Sequence, residues 1–503
     1  MEINARPWIL PNLSLHEFGD AHDAFRLLVV SLASVLFISI YRSQWSNASA
    51  SFKNKQGQRI KEIKEDSRFS RFSHGLELSQ QGQRLAGSEP YLVRNGRNKE
   101  LVISAPDQAR EFFAHDAKDH MKPANMNLGH YFGRVLGNCV GVQGGAKWNS
   151  MRALFNPEFS HLAAKNMIPL FTQEFSKWAA ELSQDGTVVS KGEEKFVIDA
   201  AGACRILPFR LIARTCYGNM LTDETFDKLL SFNEVHEQIM CQAVFGRWTT
   251  SKYYGMLPTK AKRQMDQFQK GWEAFNLDIV VEARKSGTSC PAEKIYDGVD
   301  PKGDISKQEF LETVDEILFT NIDVTSAVLA FVLINLAANR PFQDKLRTEI
   351  REQLAAASGD IGHYLAKTDT LLNYASMESV RFSLPERTAQ DKVIGGYLIP
   401  AGTPGIIDWK RLNTQSEVWG SDGETFRPER FLEISQKQYR YSLLRFGVGP
   451  RKCLGKNMAD VMIKLAMIIV LEKYHLSGVD GQVALRKDRF TCTPQQLVKF
   501  SKV

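Results

Sequence analysis

A chain of 503 residues, 43% apolar and 10% aromatic, has material for a large core, whether in two or three domains or in one big one. Its net charge of +7 is modest for that length, and no Lys/Arg cluster interleaved with aromatics reads as a nucleic-acid surface. The excess suits an acidic protein partner or a membrane surface. Seven scattered cysteines (Cys139, Cys204, Cys216, Cys241, Cys290, Cys453 and Cys492) show no pairing rhythm, which fits free thiols in a reducing compartment.

The first predicted element is an apolar helix. Residues 27–41 form an apolar run bounded by Arg26 and Arg42. The run is short of the about 20 residues that span a bilayer, but Ala24 and Phe25 extend it and Arg26 can snorkel. The flank before it is acidic (Glu2, Glu17, Asp20, Asp23), unlike a secretory signal, and the flank after it carries Arg42, Lys53, Lys55, Arg59, Lys61 and Lys64. The positive-inside rule then predicts one uncleaved transmembrane anchor at 24–42, with 1–23 lumenal and the remainder cytosolic. Of the sequons at Asn12 and Asn47, only Asn12 would meet the glycosylation machinery. Residues 43–70 read as a polar linker followed by a surface helix, and 71–503 as the main domain.

Folded structure is predicted to begin with strands at 91–94 and 100–104 around an Asn95-Gly96 turn. Pro106 opens a helix through Phe113. Residues 120–145, rich in Gly, Asn and Met, read as an irregular loop of the kind that often binds ligands. Trp148 and Arg152, four apart on a helical pattern, share one face. Residues 159–219 are helical by periodicity, and 226–243 and 260–285 read as amphipathic helices. Between these two lie Phe245, Arg247, Trp248, Tyr253 and Tyr254, an aromatic and basic loop that suits either a membrane interface or ordinary packing. Residues 286–304 read as a polar surface connection.

Ser306 and Glu309 form a capping-box pattern, and no helix breaker follows until Arg340-Pro341. The helix between them would be roughly 50 Å long. Residues 317–338 are apolar nearly all round, so a second membrane span competes with a helix buried through the centre of a large domain. Asp323 favours burial in protein, because a lone charge is costly in lipid. Another helix starts at Arg340. Glu378 and Arg381 lie three apart on a helical face, followed by a strand–turn–strand pattern at 393–403 and by the segment Phe426-Arg427-Pro428-Glu429-Arg430-Phe431.

The most informative stretch is Phe446-Gly447-Val448-Gly449-Pro450-Arg451-Lys452-Cys453-Leu454-Gly455, ahead of a long apolar helix at 454–474. Gly447, Gly449 and Gly455 admit positive φ and close backbone approach to something flat. A cysteine at a helix N-terminus, beside the fixed charge of Arg451, is biased toward thiolate. A lone buried cysteine is most often a small hydrophobe. Zinc lacks further ligands, with no other cysteine close and His475 a full helix away. A single buried thiolate suits an axial iron ligand. The pattern Phe-x-x-Gly-x-Arg-x-Cys-x-Gly, matched at Phe446, Gly449, Arg451, Cys453 and Gly455, resembles the haem-binding loop of the cytochrome P450 family. Trp148/Arg152, Glu378/Arg381 and the segment around Arg430 match further signatures of that family in the right order, over about 300 residues.

The resemblance implies the mainly α haem-thiolate fold with small β-sheets near the N-terminal third, preceded by the transmembrane helix. It implies haem b with Cys453 as the axial ligand of iron, in a loop that includes Phe446, and Arg451, Trp148, Arg152 and Arg387 as partners of the haem propionates. Glu378, Arg381 and Arg430 would form a buried network bracing that loop, and 245–258 a substrate-access lid at the bilayer. It further implies O2 as co-substrate, a hydrophobic small molecule as substrate, and an endoplasmic-reticulum location. Electrons would come from a separate NADPH-cytochrome P450 reductase, docking near Lys452 and Lys456, since no flavin- or nicotinamide-binding stretch follows the Cys453 helix. The style is that of fungal secondary metabolism. A haem-thiolate isomerase, dehydratase or peroxide user, a haem sensor without turnover and a membrane-tethered scaffold are the competing readings. One departure stands out. Where family members usually show a small pair, an acid and a threonine, this chain reads Thr320-Asn321-Ile322-Asp323-Val324-Thr325. The acid is kept at Asp323 and Val324 replaces the threonine; Thr320, Asn321 or the substrate's own polar group would have to serve oxygen in its place, and Thr325, about 100° round the helix, only if the helix is locally deformed or the alignment shifts by one residue.

Overall fold

The computed structural model describes residues 30–31, 34–35, 52–246, 248–254, 257–300, 303–319, 321–379, 386–479, 483–486 and 493–503. Lys53–Val503 form one unit. Most of the expected anchor at 24–42, both sequons, Arg381 and Cys492 lie outside the described residues, as do Thr320 and the side chain of Asn321.

The centre of this unit is the helix Lys307–Ala338. Its start is the expected capping box: the Ser306 amide donates to Glu309 Oε2 at 2.8 Å, and the Glu309 amide donates to Ser306 Oγ at 3.3 Å. By length and composition the helix could cross a bilayer, yet 75% of its most apolar stretch is buried in protein. Leu329, Ala330, Val332, Leu333 and Leu336 are all nearly inaccessible. A helix apolar all round is stable when protein surrounds it. The neighbours here include the Cys453-proximal helix Lys456–Lys473 and the helix Ile206–Tyr217, while Asp223–Phe245 and Lys260–Ser286 pack on its first half. The Lys456–Lys473 helix buries Met462 through Leu471 without interruption and lies along the helix His161–Glu181.

Two larger sheets flank the helices. The first orders Glu62–Asp66, Tyr91–Asn95, Asn98–Ile103, Pro404–Ile407 and Glu386–Arg387 side by side. The second orders Tyr474–Gly478, Leu497–Lys502, Lys195–Asp199 and Val188–Lys191, all antiparallel. In the second, Phe196 stacks on Phe500 and Tyr474 meets both rings edge-on, with centroids 5.1–5.5 Å apart.

Several expectations are corrected. Residues 62–66 are a strand parallel to Tyr91–Asn95, where a surface helix was expected. The stretch 159–219 is not helical throughout. Lys195–Asp199 is a strand whose Phe196 and Ile198 are buried in alternation, and its partner strand lies at the far C-terminus. The sheets therefore extend well beyond the N-terminal third. The loop 120–145 contains the helix His130–Leu136, and the connection 286–304 contains the helix Pro291–Asp297, which buries Ala292 and Ile295. The helix after Cys453 starts at Lys456 and ends before Tyr474, whose backbone has turned to strand.

Candidate active site

The loop before the Lys456–Lys473 helix is shaped by two glycines. Gly447 and Gly449 sit at φ of 80° and 68°, the left-handed region that a side chain resists. Gly455, expected to share this role, has φ −79° and simply precedes the helix. The Cys453 amide donates to the Phe446 carbonyl at 2.9 Å, closing the loop. Cys453 presents its surface to a recess, while protein crowds it on its other sides. That crowding pushes the thiol above its ordinary value; the Gly455 amide, the charge of Arg152 and the Lys456 amide pull the other way, and Glu316 opposes them. A metal cation at the sulfur would complete the shift to thiolate.

The network expected to brace the loop is built on Arg430 and Glu378. Arg430, 2% exposed, donates to Glu378 Oε1 at 3.2 Å, to Asp422 Oδ1 at 3.3 Å, and to the carbonyls of Trp419, Asp422 and Thr425. Arg381, the other expected partner of Glu378, lies outside the described residues. A second brace was not expected from the sequence. Arg445 donates to the Ser376 carbonyl and hydroxyl, both at 3.0 Å, and reaches Asp460 at 3.4 Å, where Lys464 also binds. It thereby ties the loop to the helix that carries Glu378 and to the helix that follows Cys453. Its guanidinium also covers the half-buried Phe446 ring at 5.3 Å. Burial lowers the pKa of Arg445, with Asp460 opposing.

Beside the recess, Trp148 on the helix Gly145–Phe155 is held between two guanidiniums. Arg451 lies 5.1 Å and Arg152 5.7 Å from its ring centroid. Arg451 donates to the Gln143 carbonyl at 2.7 Å. Arg387 joins from the strand Glu386–Arg387, its amide donating to the Met121 carbonyl at 2.8 Å. Next to it, Glu386 binds Lys122 and His120, each at 3.3 Å. Burial alone would raise the Glu386 carboxyl, but His120 and Lys122 hold it below its ordinary value. Across the recess, the central helix contributes Glu316, which accepts from the Gly141 amide at 2.9 Å; burial holds its carboxyl high.

Among the described residues, the buried Nε–H groups of Arg152, Arg387 and Arg451 have no hydrogen-bond partner. Buried donors without acceptors are costly. Three of them, on cations beside a cysteine, fit a ligand that brings carboxylates to this rim, as a haem brings two propionates. The residues present therefore fit the group.

On the central helix, Asp323 is nearly inaccessible and its carboxylate accepts from Arg205 at 2.7 Å. Arg205 also pairs with Glu237, which accepts from Asn233 at 2.9 Å. Asp323 is thus linked through Arg205 toward the half-buried surface. Val324 and Thr325 are both partly buried on the next positions. Arg205, Glu316, Lys122, Glu386 and Arg445 escaped the sequence reading. Arg445 and Glu386 stand next to the named residues Phe446 and Arg387, whereas Arg205, Lys122 and Glu316 meet their partners across more than a hundred residues.

A helical unit that brings one cysteine, a glycine-shaped loop and a rim of unsatisfied guanidiniums to a single recess has the architecture of a haem-thiolate protein. The cytochrome P450 family model matches residues 87–500. The chain is 45% identical over 480 residues to the cytochrome P450 monooxygenase lepD of Aspergillus flavus, covering 94% of each. It is 39% identical over 492 residues to the cytochrome P450 monooxygenase apdB of Emericella nidulans, covering 92% of this chain and 95% of the relative. With the cytochrome P450 monooxygenase PUL2 of Kluyveromyces lactis the identity is 31% over 507 residues, covering 94% and 96%. The chain belongs to the cytochrome P450 family.

Proposed function

We propose that this protein is a haem-thiolate monooxygenase that oxidises a hydrophobic small molecule of fungal secondary metabolism, using O2 and electrons from a separate NADPH-dependent reductase. The observation that carries this reading is the convergence of Cys453 with Trp148, Arg152, Arg387 and Arg451, the Nε–H groups of the three arginines lacking acceptors among the described residues. The matching family and the monooxygenase names of its relatives support it.

In this reading Cys453 would hold the haem iron, and Arg152, Arg387, Arg451 and the Trp148 indole would hold the propionates. The haem, when bound, would supply oxygen activation. The chain's own task is to hold the loop rigid, exclude water and meter protons. Glu378 with Arg430, and Ser376 with Arg445 and Asp460, fix the loop from two directions. Asp323 is the group that would carry protons toward the reacting centre, with Arg205, itself paired to Glu237, holding its carboxylate in place between transfers. Val324 can neither donate nor accept, so the final hydrogen bond to oxygen comes from Asn321, Thr325 or the substrate itself. Residues 24–42 anchor the chain in the endoplasmic-reticulum membrane with the catalytic unit in the cytosol. Exposed Trp248, Tyr253 and Leu257 give the loop between the helices Asp223–Phe245 and Lys260–Ser286 an apolar face toward that membrane. Exposed Lys452 and Lys456 receive the acidic reductase. Turnover of NADPH by the purified protein with a fungal reductase tests the reading. Stimulation by an apolar extract fraction is expected; substrate oxidation supported by peroxide alone, without NADPH or reductase, would replace this reading with the peroxide-using alternative.

A further inference from the structure

The segment 137–143 is gripped by the central helix through its amides and by the Cys453 loop through its carbonyls. The Asn138 amide donates to Glu312 at 2.6 Å, the Val140 amide to the Thr313 hydroxyl at 3.1 Å and the Gly141 amide to Glu316 Oε2 at 2.9 Å. Arg451, two residues before Cys453, donates to the Gln143 carbonyl at 2.7 Å and reaches that of Gly141 at 3.5 Å. The segment then runs into the helix Gly145–Phe155, which carries Trp148 and Arg152.

Glycine makes two of these contacts possible. A Cβ on Gly141 would collide with Glu316 Oε1, and one on Gly137 with the Glu312 carboxyl. The carboxyl of Glu316 thus fills the space that a side chain at 141 would take. Glu316 lies deep in the protein yet keeps accessible surface, as Cys453 does, so both border an internal recess. Its charge is felt by Cys453, Arg152, Arg451 and Lys122. Burial raises its carboxyl, while the Gly141 amide, the Cys139 thiol and Lys122 oppose that rise.

We infer that Glu316 is a positioning residue for Arg451: by holding the Gly141 amide it fixes the Gly141 and Gln143 carbonyls on which that guanidinium rests. The inference rests on the haem-thiolate reading, in which Arg451 would hold a propionate. With the segment in place, one nitrogen of Arg451 is committed to backbone, and its buried Nε–H, which has no acceptor among the described residues, is presented to a carboxylate at the rim. Once Glu316 lets go of Gly141, the segment shifts and the guanidinium moves with it. Glu312 and Thr313 hold the earlier part of the segment, so the loss falls on the end that meets Arg451.

The test is the rate at which the haem-loaded full-length protein gives up haem to excess apomyoglobin, followed in the Soret band. Glu316→Leu is expected to raise that rate about tenfold, the size of loss seen when groups that orient a cofactor's ligands are removed. Glu316→Gln keeps an oxygen for the Gly141 amide and should recover most of the loss. Gly141→Ala, whose Cβ displaces the carboxyl, should reproduce Glu316→Leu and carries the comparison if that variant does not fold. In an Arg451→Leu background, Glu316→Leu and Gly141→Ala should each change the rate less than twofold, because the residue through which they act is gone. A merely structural tie would speed haem loss by the same factor in both backgrounds, and that result overturns the inference. A wild-type rate in both Glu316→Leu and Gly141→Ala, or no recovery in Glu316→Gln, overturns it too. The carbon monoxide spectrum of the same samples separates the two levels: a normal thiolate band with equal effects in both backgrounds sinks only the role of Glu316, whereas a missing band in wild type sinks the haem-thiolate reading beneath it.

Discussion

Replacing Arg430 with alanine removes the most heavily committed side chain of the loop brace. Its guanidinium makes five hydrogen bonds, to Glu378, Asp422 and three backbone carbonyls, in a site where both Arg430 and Glu378 are almost fully buried. Breaking a buried pair by deleting one member costs roughly 3–5 kcal/mol. The dry carbonyls of Trp419, Asp422 and Thr425 add about 1 kcal/mol or more each where water does not reach them. With an unfolding entropy of about 2 cal/mol/K per residue over about 450 residues, a loss near 7 kcal/mol lowers the melting temperature by roughly 8 °C. Because the brace sits behind the Cys453 loop, haem occupancy should fall more steeply than the melting temperature. Arg427→Ala is the control. Arg427 pairs with Asp422 and Glu433, which are 40% and 58% exposed, so it should cost less than about 1 kcal/mol. Haem per polypeptide and differential scanning calorimetry read the two effects. Wild-type haem content and melting in Arg430→Ala would refute the bracing argument. Arg381→Ala is expected to behave as Arg430→Ala does.

Other outcomes follow from the same geometry. Peroxide released per NADPH should rise in Asn321→Ala and fall in Val324→Thr; if Thr325→Ala alone uncouples the reaction, an ordinary threonine relay operates one position on. Charge reversal at Lys452 and Lys456 should slow reduction by the reductase in a salt-dependent manner and leave substrate binding intact; equal rates at low salt would return both lysines to plain surface. Deleting residues 1–42 should release the protein from membranes with haem binding preserved, and a glycan on Asn47 of the full chain would overturn the cytosolic assignment.

Features fixed by local chemistry were legible in the sequence. The capping box at Ser306, the pairing of Trp148 with Arg152 and the Gly447–Gly449 turn all depend on residues a few positions apart, and each is present as expected. The central helix was legible too, because Asp323 within an apolar run argued for burial in protein rather than lipid. What escaped was long-range. Arg205 reaches Asp323 across 118 residues, and Lys122 reaches Glu386 across 264. Neither separation leaves a periodic trace. The strand Lys195–Asp199 pairs locally with Val188–Lys191, but its other neighbour, Leu497–Lys502, lies three hundred residues away and left no trace beside it. Gly455 shows the converse, a motif position whose φ of −79° asks nothing special of the backbone.

The most direct test of the central claim is the difference spectrum of the reduced protein with carbon monoxide, recorded for wild type, Cys453→Ala and Cys139→Ala. A thiolate trans to the gas gives a strongly red-shifted Soret band. Wild type and Cys139→Ala are expected to show it, because the Cys139 thiol is buried beside Glu316 and burial holds its proton firmly. Cys453→Ala should lose the band and all turnover. A red-shifted band that persists without Cys453 would contradict the account.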